Sequence, residues 1–279
     1  MELWFTEKYS SGWGISLKIT RGVYSGRSRY QKIDILETLD FGKILIIDGA
    51  TMLTEKDEFA YHEMLIHVPF FTHPNPKRIL IIGGGDGGAV REICRHSCVE
   101  SIDLVEIDRQ VIELCQKYFP SVAYALKDEK VNILIEDGIE YLKNCPEGRY
   151  DVIIVDSTDP IGPAVGLFQK EFYESCFNAL KSDGILNVQS GSPYFQEELI
   201  EKVFYAMQEV FPIARTYLAG TPTYGGMWSF TLGSKLHDPI KGAQRRDEDV
   251  LNNLKYYNEG IHTGAFQLPN YLLKRLGLD

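Results

Sequence analysis

Gly83-Gly84-Gly85-Asp86-Gly87-Gly88 is the stretch that decides the fold of this chain. It follows the apolar run 78–82, which has the length of a strand, and it precedes 89–93, which is typical of the first turns of a helix. Glycines between a strand and a helix let the backbone approach a nucleotide closely. We therefore predict a nucleoside site on this loop.

Asp86 is the unusual residue of the loop. Loops that bind dinucleotides offer bare backbone N–H groups to a pyrophosphate, and a carboxylate among them would repel that anion. Glu106 lies 23 residues after Gly83, at the end of the next predicted strand, where an acidic side chain can accept hydrogen bonds from ribose hydroxyls. The loop therefore favours a nucleoside whose tail is cationic.

Composition and charge argue against several classes of protein. The 279 residues carry a formal net charge of −10, which disfavours nucleic acid as a partner because surfaces that bind it are basic. No apolar run approaches the roughly 18 residues of a membrane span, and residues 1–7 lack the basic and apolar regions of a signal peptide. We therefore expect a cytoplasmic protein that does not contact membranes.

The five cysteines include no Cys-x-x-Cys pair and indicate free thiols in a reducing compartment. Cys94 and Cys98 are four residues apart on a predicted helix, but His96 between them would point elsewhere. We expect no metal site.

Residues 1–54 are predicted to form a small antiparallel β domain, and residues 55–279 an α/β domain. The first part has short alternating runs separated by turns, and such strands need a partner surface to be stable. The helix predicted over 57–72 has its apolar residues on one face. Strands of the first part are expected at 15–19, 31–37, 43–47 and 50–53.

Strands and helices alternate from Lys77 onward, which predicts an open, mostly parallel sheet covered by helices on both faces. Two antiparallel edge strands and two terminal helices are expected to follow. The predicted parallel strands are 78–82, 101–106, 131–135, 150–155 and 184–189, the helices among them are 88–96, 109–118, 138–144, 169–180 and 195–210, and the later elements are 214–218, 228–232, 247–255 and 268–276.

Carboxylates follow four successive predicted strands, with no Lys or Arg among them. Ligands of doubly wound sheets bind outside the carboxyl ends of the strands, so these side chains would line one pocket for sugar hydroxyls, an adenine amino group and amines. Asp108 and Asp137 are also residues that commonly cap helices, and that interpretation stays open. The carboxylates are Asp86, Glu106, Asp108, Asp137, Asp156 and Asp159.

The segment Asp156–Pro163 is a second strong signal. Asp156 follows the apolar strand 152–155, and Asp159 lies three residues later in a turn that two prolines stiffen. Two carboxylates this close can hold one amine and accept its proton, although an Asx-turn with a helix cap would also explain them. The glycines and few charges of 157–169 predict a lid that excludes water.

Four aromatic or imidazole side chains are compatible either with binding or with core packing. Tyr61 and His62 lie on the predicted helix 57–72, and Tyr224 and Trp228 lie beside glycines in a loop. Ring faces in an acidic pocket can bind the methylenes and the charge of a polyamine. Taken alone, Tyr61 is more typical of a packed core, whereas Trp228 fits core packing and binding equally well.

At these residues the sequence resembles the polyamine aminopropyltransferases, the spermidine synthase family, over nearly its whole length. Many separate motifs in the right order are far more specific than one glycine loop. One departure is Gly225-Gly226, where many relatives have a proline. The motifs are Trp13-Gly14, Tyr30-Gln31, Leu45–Gly49, Tyr61-His62-Glu63, Gly83–Gly88, Val105–Asp108, Asp137-Gly138, Asp156–Pro163 and Pro222-Thr223-Tyr224.

The resemblance implies a Rossmann-like, methyltransferase-type open sheet with a small N-terminal antiparallel β domain. It implies transfer of the aminopropyl group of decarboxylated S-adenosylmethionine, a co-substrate, to putrescine, with no further cofactor, in a homodimer or homotetramer. Asp156 matches the proton acceptor, with Asp159 and Tyr61 as further catalytic residues. The resemblance implies donor contacts at Gln31, Gly83, Gly85, Asp86, Glu106, Asp137, Gly138 and Pro163, and polyamine contacts at Tyr61, His62, Asp86, Asp156, Asp159, Tyr224 and Trp228.

Two other functions could use the same residues. One is an S-adenosylmethionine-dependent N-methyltransferase that acts on a small amine. The other is a polyamine or nucleoside binder without catalysis, which the pair Asp156 and Asp159 disfavours because a binder needs no proton acceptor. The sequence leaves the acceptor open among putrescine, cadaverine, agmatine and longer amines.

Overall fold

The computed structural model describes residues 2–160 and 162–279, which contain two β-sheets. The N-terminal sheet is antiparallel, and its five strands pair in chain order. In β3, Ile33 and Ile35 are buried while their neighbours are more exposed, because successive side chains of a strand point to opposite faces. The strands are β1 (Leu3–Lys8), β2 (Gly14–Arg27), β3 (Lys32–Thr38), β4 (Lys43–Ile47) and β5 (Ala50–Thr54).

The second sheet has seven strands in the order β11-β12-β10-β9-β6-β7-β8. Strands β6 to β10 run parallel, and β12 is antiparallel to both β10 and β11. The central runs 79–82 and 152–155 are buried on both faces, which explains why they are continuously apolar. The strands are β6 (Arg78–Gly83), β7 (Ser101–Val105), β8 (Val131–Leu134), β9 (Tyr150–Asp156), β10 (Leu180–Gly191), β11 (Ile213–Thr221) and β12 (Gly226–Ser234).

Helices cover both faces of this sheet, as the alternation of elements predicts. The α-helices are α1 (Glu58–Thr72), α2 (Gly88–Cys94), α3 (Arg109–Tyr118), α4 (Pro120–Ala123), α5 (Gly138–Lys143), α6 (Lys170–Ala179), α7 (Glu197–Val210), α8 (Glu248–Leu251), α9 (Glu259–Ala265) and α10 (Asn270–Arg275), and the 3₁₀ helices are Tyr124–Lys127, Gly162–Phe168, Pro222–Tyr224 and Pro239–Lys241. Among the described residues, no helix is both long and apolar enough to cross a membrane.

Helix α1 differs from the expectation of a single apolar face, because it is buried on nearly every side. It packs against α2 and against strands β9 to β12. Its buried polar residues have hydrogen-bond partners: the Glu63 carboxylate accepts hydrogen bonds from the backbone N–H groups of Lys255, Tyr256 and Tyr257 at 2.9, 2.7 and 2.9 Å. These partners are remote in sequence, so helical periodicity does not reveal them.

Several elements lie outside the sequence expectations, among them α4 and the 3₁₀ helices. Strand β1 pairs with β2 over the register Leu3↔Ile19 to Lys8↔Gly14, and β2 extends well beyond 15–19 through two register shifts. Helix α9 was not expected, and its N-cap Asn258 accepts a hydrogen bond from the Ile261 N–H. Strand β1 was missed because each of its faces combines an exposed large apolar side chain, Leu3 or Trp4, with a charged one, Glu7 or Lys8, so no apolar face stands out.

Candidate active site

The glycine loop and the segment that begins at Asp156 meet at one edge of the sheet. Strands β6 and β9 are neighbours, and Gly83 pairs with Asp156 in their register. Gly83 has φ +81°, and a Cβ atom there would lie 2.2 Å from the Asp156 carbonyl oxygen, so only glycine fits. The Gly84 N–H donates to the same carbonyl at 2.8 Å. The two strongest signals of the sequence therefore form one site.

A cavity of about 250 Å³ lies at this edge, between the second sheet and the N-terminal β-sheet. Among the described residues, no Lys or Arg lines it. Carboxylates dominate its polar lining, so the cavity favours cations over anions. The seven acidic side chains in its wall are Glu7, Asp48, Asp86, Glu106, Asp137, Asp156 and Asp159.

Asp156 presents one carboxylate oxygen to a protein donor and keeps the other available. Its Oδ1 accepts a hydrogen bond from the Tyr61 hydroxyl at 2.8 Å, while its buried Oδ2 has no partner among the described residues. Burial and the nearby charge of Asp86 raise the pKa of Asp156 to about 6, although His62 and Tyr61 act in the opposite direction. A carboxylate with this pKa is a stronger proton acceptor than an exposed Asp.

A buried chain of alternating charges lies behind Asp86. His62 Nε2 lies 3.4 Å from Asp86 Oδ1, and His62 Nδ1 lies 2.6 Å from Glu58 Oε2. The guanidinium of Arg91 in turn donates to both oxygens of Glu58, at 2.8 and 2.9 Å. This bidentate pair fixes Glu58, which in turn fixes the imidazole of His62 beneath the glycine loop.

The charges of Asp86, His62, Glu58 and Arg91 strongly influence one another. Burial disfavours the imidazolium form of His62, but the carboxylates of Asp86 and Glu58 outweigh it and raise the pKa of His62 well above its usual value. Burial likewise opposes the charge of Glu58, yet His62 and Arg91 lower the pKa of Glu58 to about 2. The pKa of Asp86 is lowered, because His62 outweighs the burial of Asp86. The structure therefore places an imidazolium between two carboxylates at neutral pH.

His62 does not itself line the cavity and reaches it only through Asp86. Its ring fills the space beside Gly88, where a Cβ atom would lie 2.3 Å from His62 Cε1. The Gly88 N–H donates to Asp86 Oδ1 at 2.6 Å. The last glycine of the loop is thus required by the histidine beneath it.

One end of the cavity is built from the residues that follow β6, β7 and β8. The Glu106 carboxylate accepts from the N–H groups of Gly85 at 3.2 Å and Asp108 at 2.8 Å, and its burial raises the pKa of Glu106 to about 7. Gln31 reaches this end from the N-terminal sheet and donates to Asp108 Oδ2 at 3.0 Å. Gly83, Gly85, Asp86, Glu106, Asp137 and Gly138 all contribute to the wall.

The capping interpretation applies to two carboxylates of the series. Asp108 accepts from the Gln110 N–H at 3.1 Å and caps α3, whereas Asp137 accepts from the Ile139 N–H at 2.8 Å and caps α5. Asp137 also lines the cavity, but Asp108 does not. Asp137 therefore both caps a helix and lines the cavity, whereas Asp108 caps a helix without lining the cavity.

The other end of the cavity combines carboxylates, amides and aromatic rings. Asp159 Oδ2 accepts from the Gln196 side chain at 2.6 Å, and burial raises the pKa of Asp159. Tyr224 and Trp228 are both 7% exposed and line the cavity, with their ring centroids 5.0 Å apart. These two rings therefore pack in the core and also line the cavity.

The segment predicted to be a lid contains the 3₁₀ helix Gly162–Phe168, and Ala164 and Leu167 in it line the cavity. Ile161 and the side chain of Pro163 lie outside the described residues, so the expected nucleoside contact of Pro163 remains a prediction. The expectation that this segment opens and closes also remains a prediction.

Within the part of the chain that the structure describes, two groups of side chains have the spacing of metal ligands, but neither is suited to a metal. His62, Asp86 and Asp156 each place a potential ligand atom within 4.8 Å of the others, yet an imidazolium does not coordinate. In the group His73, Asp151 and Asp183, the Asp151 carboxylate already accepts from Lys181 and from two backbone N–H groups. His73 Nδ1 accepts from the Asn75 N–H, which leaves the proton on Nε2.

Two family models match the chain. The spermine/spermidine synthase domain matches residues 58–241, and the spermidine synthase tetramerisation domain matches residues 3–55. The chain belongs to the spermine/spermidine synthase family. The polyamine aminopropyltransferases of Caldicellulosiruptor bescii and Bacillus mycoides are each 50% identical to this family member over 273 residues. The match covers 98% of this chain and 97% and 98% of theirs.

Solved structures of the same family have the same fold. A spermidine synthase in complex with the transition-state analogue AdoDATO is 45% identical, with a TM-score of 0.94, over 99% of this chain and 96% of that one. The spermidine synthase of Thermotoga maritima is 45% identical, with a TM-score of 0.93, over 99% and 95% of the two chains. The expected methyltransferase-type sheet with an N-terminal antiparallel β part is thereby confirmed.

Several residues of the site were missed by the sequence reasoning. Glu58 and Arg91 support His62, but they resemble solvent-exposed charges on two separate helices. Glu7 and Gln189 line the cavity, and Glu7 comes from strand β1, which the sequence did not predict. The i, i+4 spacing of Glu58 and His62 was the one usable signal, since such residues face each other on a helix.

Proposed function

We infer that this chain is a polyamine aminopropyltransferase, which transfers the aminopropyl group of decarboxylated S-adenosylmethionine to putrescine and yields spermidine and methylthioadenosine. The observation that carries this proposal is a nucleoside-sized cavity with seven carboxylates and, among the described residues, no basic side chain in its wall. Such a wall suits a donor with a sulfonium and an ammonium, and an acceptor with two ammonium groups. The curated relatives carry the same activity in their names.

The donor binds with its nucleoside at the ends of β6, β7 and β8. Glu106 accepts hydrogen bonds from the ribose hydroxyls, and Gln31, Asp137, Gly138 and Pro163 contact the nucleoside. Asp86 binds the amine of the aminopropyl tail, close to its counter-ion His62. A donor that retained its carboxylate would bring a negative charge toward Asp86, so the site favours the decarboxylated donor.

The reaction is an in-line displacement at the methylene carbon bonded to the sulfonium. The lone pair of one putrescine nitrogen forms the new C–N bond, the C–S bond breaks, and its electron pair stays on sulfur. Methylthioadenosine therefore leaves as a neutral thioether. The reacting nitrogen starts as an ammonium and gives one proton to Asp156 as the freed lone pair forms the C–N bond, so the product nitrogen is a secondary ammonium.

Proton transfer sets the demand on Asp156. A free amine has a pKa of about 10.4, so a carboxylate with a pKa of about 6 does not deprotonate it stoichiometrically beforehand. Asp156 instead holds the nitrogen through Oδ2 and accepts its proton as the C–N bond forms, while the Tyr61 hydroxyl fixes the orientation of Oδ1. Asp159, Tyr224 and Trp228 surround the methylenes and charge of the acceptor.

The test is a product analysis with both possible donors. The purified chain is incubated with putrescine and either decarboxylated or intact S-adenosylmethionine, and the products are identified by mass. Spermidine and methylthioadenosine from the decarboxylated donor are expected. Methylated putrescine from the intact donor would indicate the N-methyltransferase instead, and binding of putrescine without any methylthioadenosine would indicate a binder.

The N-terminal sheet assembles the chain into a homo-oligomer, consistent with the tetramerisation domain that it matches. We further propose 1–54 and 55–279 as the two domains, because the last strand of the first sheet ends at Thr54 and α1 begins at Glu58. The cytoplasm is the proposed location, which the five free cysteines support.

A further inference from the structure

Asp108 is a buried carboxylate that lies behind the wall of the cavity rather than in it. Its Oδ1 caps helix α3 by accepting from the Gln110 N–H. Helix capping does not use its second oxygen, Oδ2, and the proposed reaction does not use it either. The contacts of Oδ2 therefore call for a separate explanation.

Oδ2 of Asp108 binds two side chains of the N-terminal sheet. The Ser28 hydroxyl donates to it at 2.6 Å, and the Gln31 amide nitrogen Nε2 donates to it at 3.0 Å. Both residues lie in the connection between β2, which ends at Arg27, and β3, which begins at Lys32. One oxygen atom therefore ties this connection to the second sheet.

The hydroxyl of Ser28 is held so that it can only donate to Asp108. Its oxygen accepts from the backbone N–H groups of Tyr30 and Gln31 at 3.0 and 3.1 Å. Its single proton has two acceptors in reach, and the Asp108 carboxylate at 2.6 Å is closer than the Gln31 carbonyl at 3.3 Å. A hydrogen bond to a carboxylate is also the stronger of the two, so the proton lies toward Asp108.

The same carboxylate decides which way the amide of Gln31 points. An ionised carboxylate only accepts hydrogen bonds, so the nitrogen of the amide, and not its oxygen, must face Asp108. This leaves the amide oxygen of Gln31 available to the cavity that Gln31 lines. Gln31 is therefore presented to a ligand as a hydrogen-bond acceptor.

Asp108 also holds Glu106, the neighbouring acceptor in the wall. The Asp108 backbone N–H donates to Glu106 Oε1 at 2.8 Å, and Glu106 lines the cavity as Gln31 does. One residue thus fixes one acceptor through its main chain and a second through its side chain. A ribose carries two adjacent hydroxyls, each of which donates one proton, and two acceptors held by one residue match them.

We propose that Asp108 is a positioning residue of the donor site, which holds the amide oxygen of Gln31 toward a ribose hydroxyl of the donor. This inference rests on the proposed aminopropyl transfer and names how the site recognises the sugar. Asp108 does not touch the donor and acts on it through Gln31. The site should therefore prefer a ribose to a deoxyribose.

The experiment is a double-mutant cycle on the affinity for methylthioadenosine, measured by calorimetry in the wild type, Asp108→Asn, Gln31→Met and the double variant. Asparagine keeps one oxygen for the cap of α3 but replaces the second oxygen by an amide nitrogen. Methylthioadenosine is neutral, so the lost charge has little direct effect on it. The titrations are made at pH 9, because the pKa of Glu106 is about 7 and is raised in part by the charge of Asp108, so Glu106 is ionised in all four proteins at that pH.

We expect Asp108→Asn to weaken binding about 5- to 20-fold in the wild-type background, as for one mismatched hydrogen bond, and by less than about twofold in the Gln31→Met background. An equal loss in both backgrounds, or no loss in either, would overturn the proposal. The matched control is Asp247→Asn, because Asp247 caps α8 outside the cavity, and its affinity should equal that of the wild type.

The 2′-deoxy and 3′-deoxy analogues of methylthioadenosine separate positioning from a general structural role. The analogue that lacks the hydroxyl bound by Gln31 should bind equally to the wild type and to Asp108→Asn, whereas the other analogue should show the full loss. The full loss with both analogues would show that Asp108 only stabilises the fold. A wild type that binds methylthioadenosine but forms no spermidine would refute aminopropyl transfer, and the same titrations would still decide the role of Asp108. A wild type that does not bind methylthioadenosine would refute this inference as well.

Discussion

Replacing His62 with glutamine should shift the acid limb of the pH profile of the enzyme to higher pH. Glutamine retains a donor toward Asp86 but carries no charge. Asp156 is faced by Asp86, which raises its pKa, and by His62 and Tyr61, which lower it. Glu58 and Arg91 complete the charged groups behind His62. Without the imidazolium, the nearest positive charge no longer offsets the repulsion between the Asp86 and Asp156 carboxylates.

The size of the shift follows from the geometry. One ligand atom of His62 and one of Asp156 lie within 4.8 Å of each other, and unit charges at this separation interact by about 3.5 kcal/mol at an effective dielectric constant of about 20. One pKa unit corresponds to about 1.4 kcal/mol, so complete loss of this interaction would raise the pKa of Asp156 by roughly 2.5 units. Because the Asp86–Asp156 pair relaxes when the charge is removed, we expect the acid limb to move up by about one to two units.

The sign is fixed by the role of Asp156, which accepts a proton only when ionised. Activity is therefore lost as the pH falls through the pKa of Asp156, and a higher pKa moves this loss to higher pH. The assay measures methylthioadenosine release as kcat/KM for putrescine at saturating donor between pH 5 and 9, a range chosen to span the acid limb. We compare the pH of the acid limb between the variant and the wild type, not its absolute value. The bound cationic donor lowers the pKa of Asp156 in both enzymes.

Two further variants make this reasoning refutable. Glu58→Gln removes the carboxylate that holds His62 charged, so it should shift the acid limb in the same direction by a smaller amount. His73→Gln alters a buried histidine beside Asp183 and should leave the limb unchanged. An unchanged limb in a folded His62→Gln enzyme, or a shift to lower pH, would refute the electrostatic coupling.

The other predictions concern the chemistry, the choice of donor and the lid. Asp156→Asn should reduce turnover by about 10²- to 10⁴-fold, while calorimetry should find methylthioadenosine binding within a few-fold of the wild type; normal turnover would remove Asp156 from the mechanism. Asp86→Asn should narrow the preference for decarboxylated over intact S-adenosylmethionine about tenfold or more, and equal affinities in the wild type would contradict the role of Asp86. Methylthioadenosine should protect 157–169 from proteases if that segment closes over the donor, and unchanged cleavage would count against a lid.

The sequence determined the order of the elements and the strand ends that carry the chemistry. Apolar runs of strand length, the glycine loop and the helical segments between them require only local spacing, and the parallel sheet follows from their alternation. Asp86, Glu106, Asp137 and Asp156 were identified because residues at the carboxyl ends of parallel strands share one edge of the sheet. The sequence also supplied the family, through many motifs in one order.

The tertiary structure alone decided which charges neutralise one another. Glu58, His62, Arg91 and Asp86 lie on α1, on α2 and in the glycine loop, and only the packing of α1 against α2 makes them one buried chain. Glu7 reaches the cavity because the β1–β2 hairpin docks on the second domain through an aromatic stack, a contact between residues remote in sequence. Local pattern carries no information about such contacts, because their free energy comes from burial and charge pairing that exist only after the chain has folded.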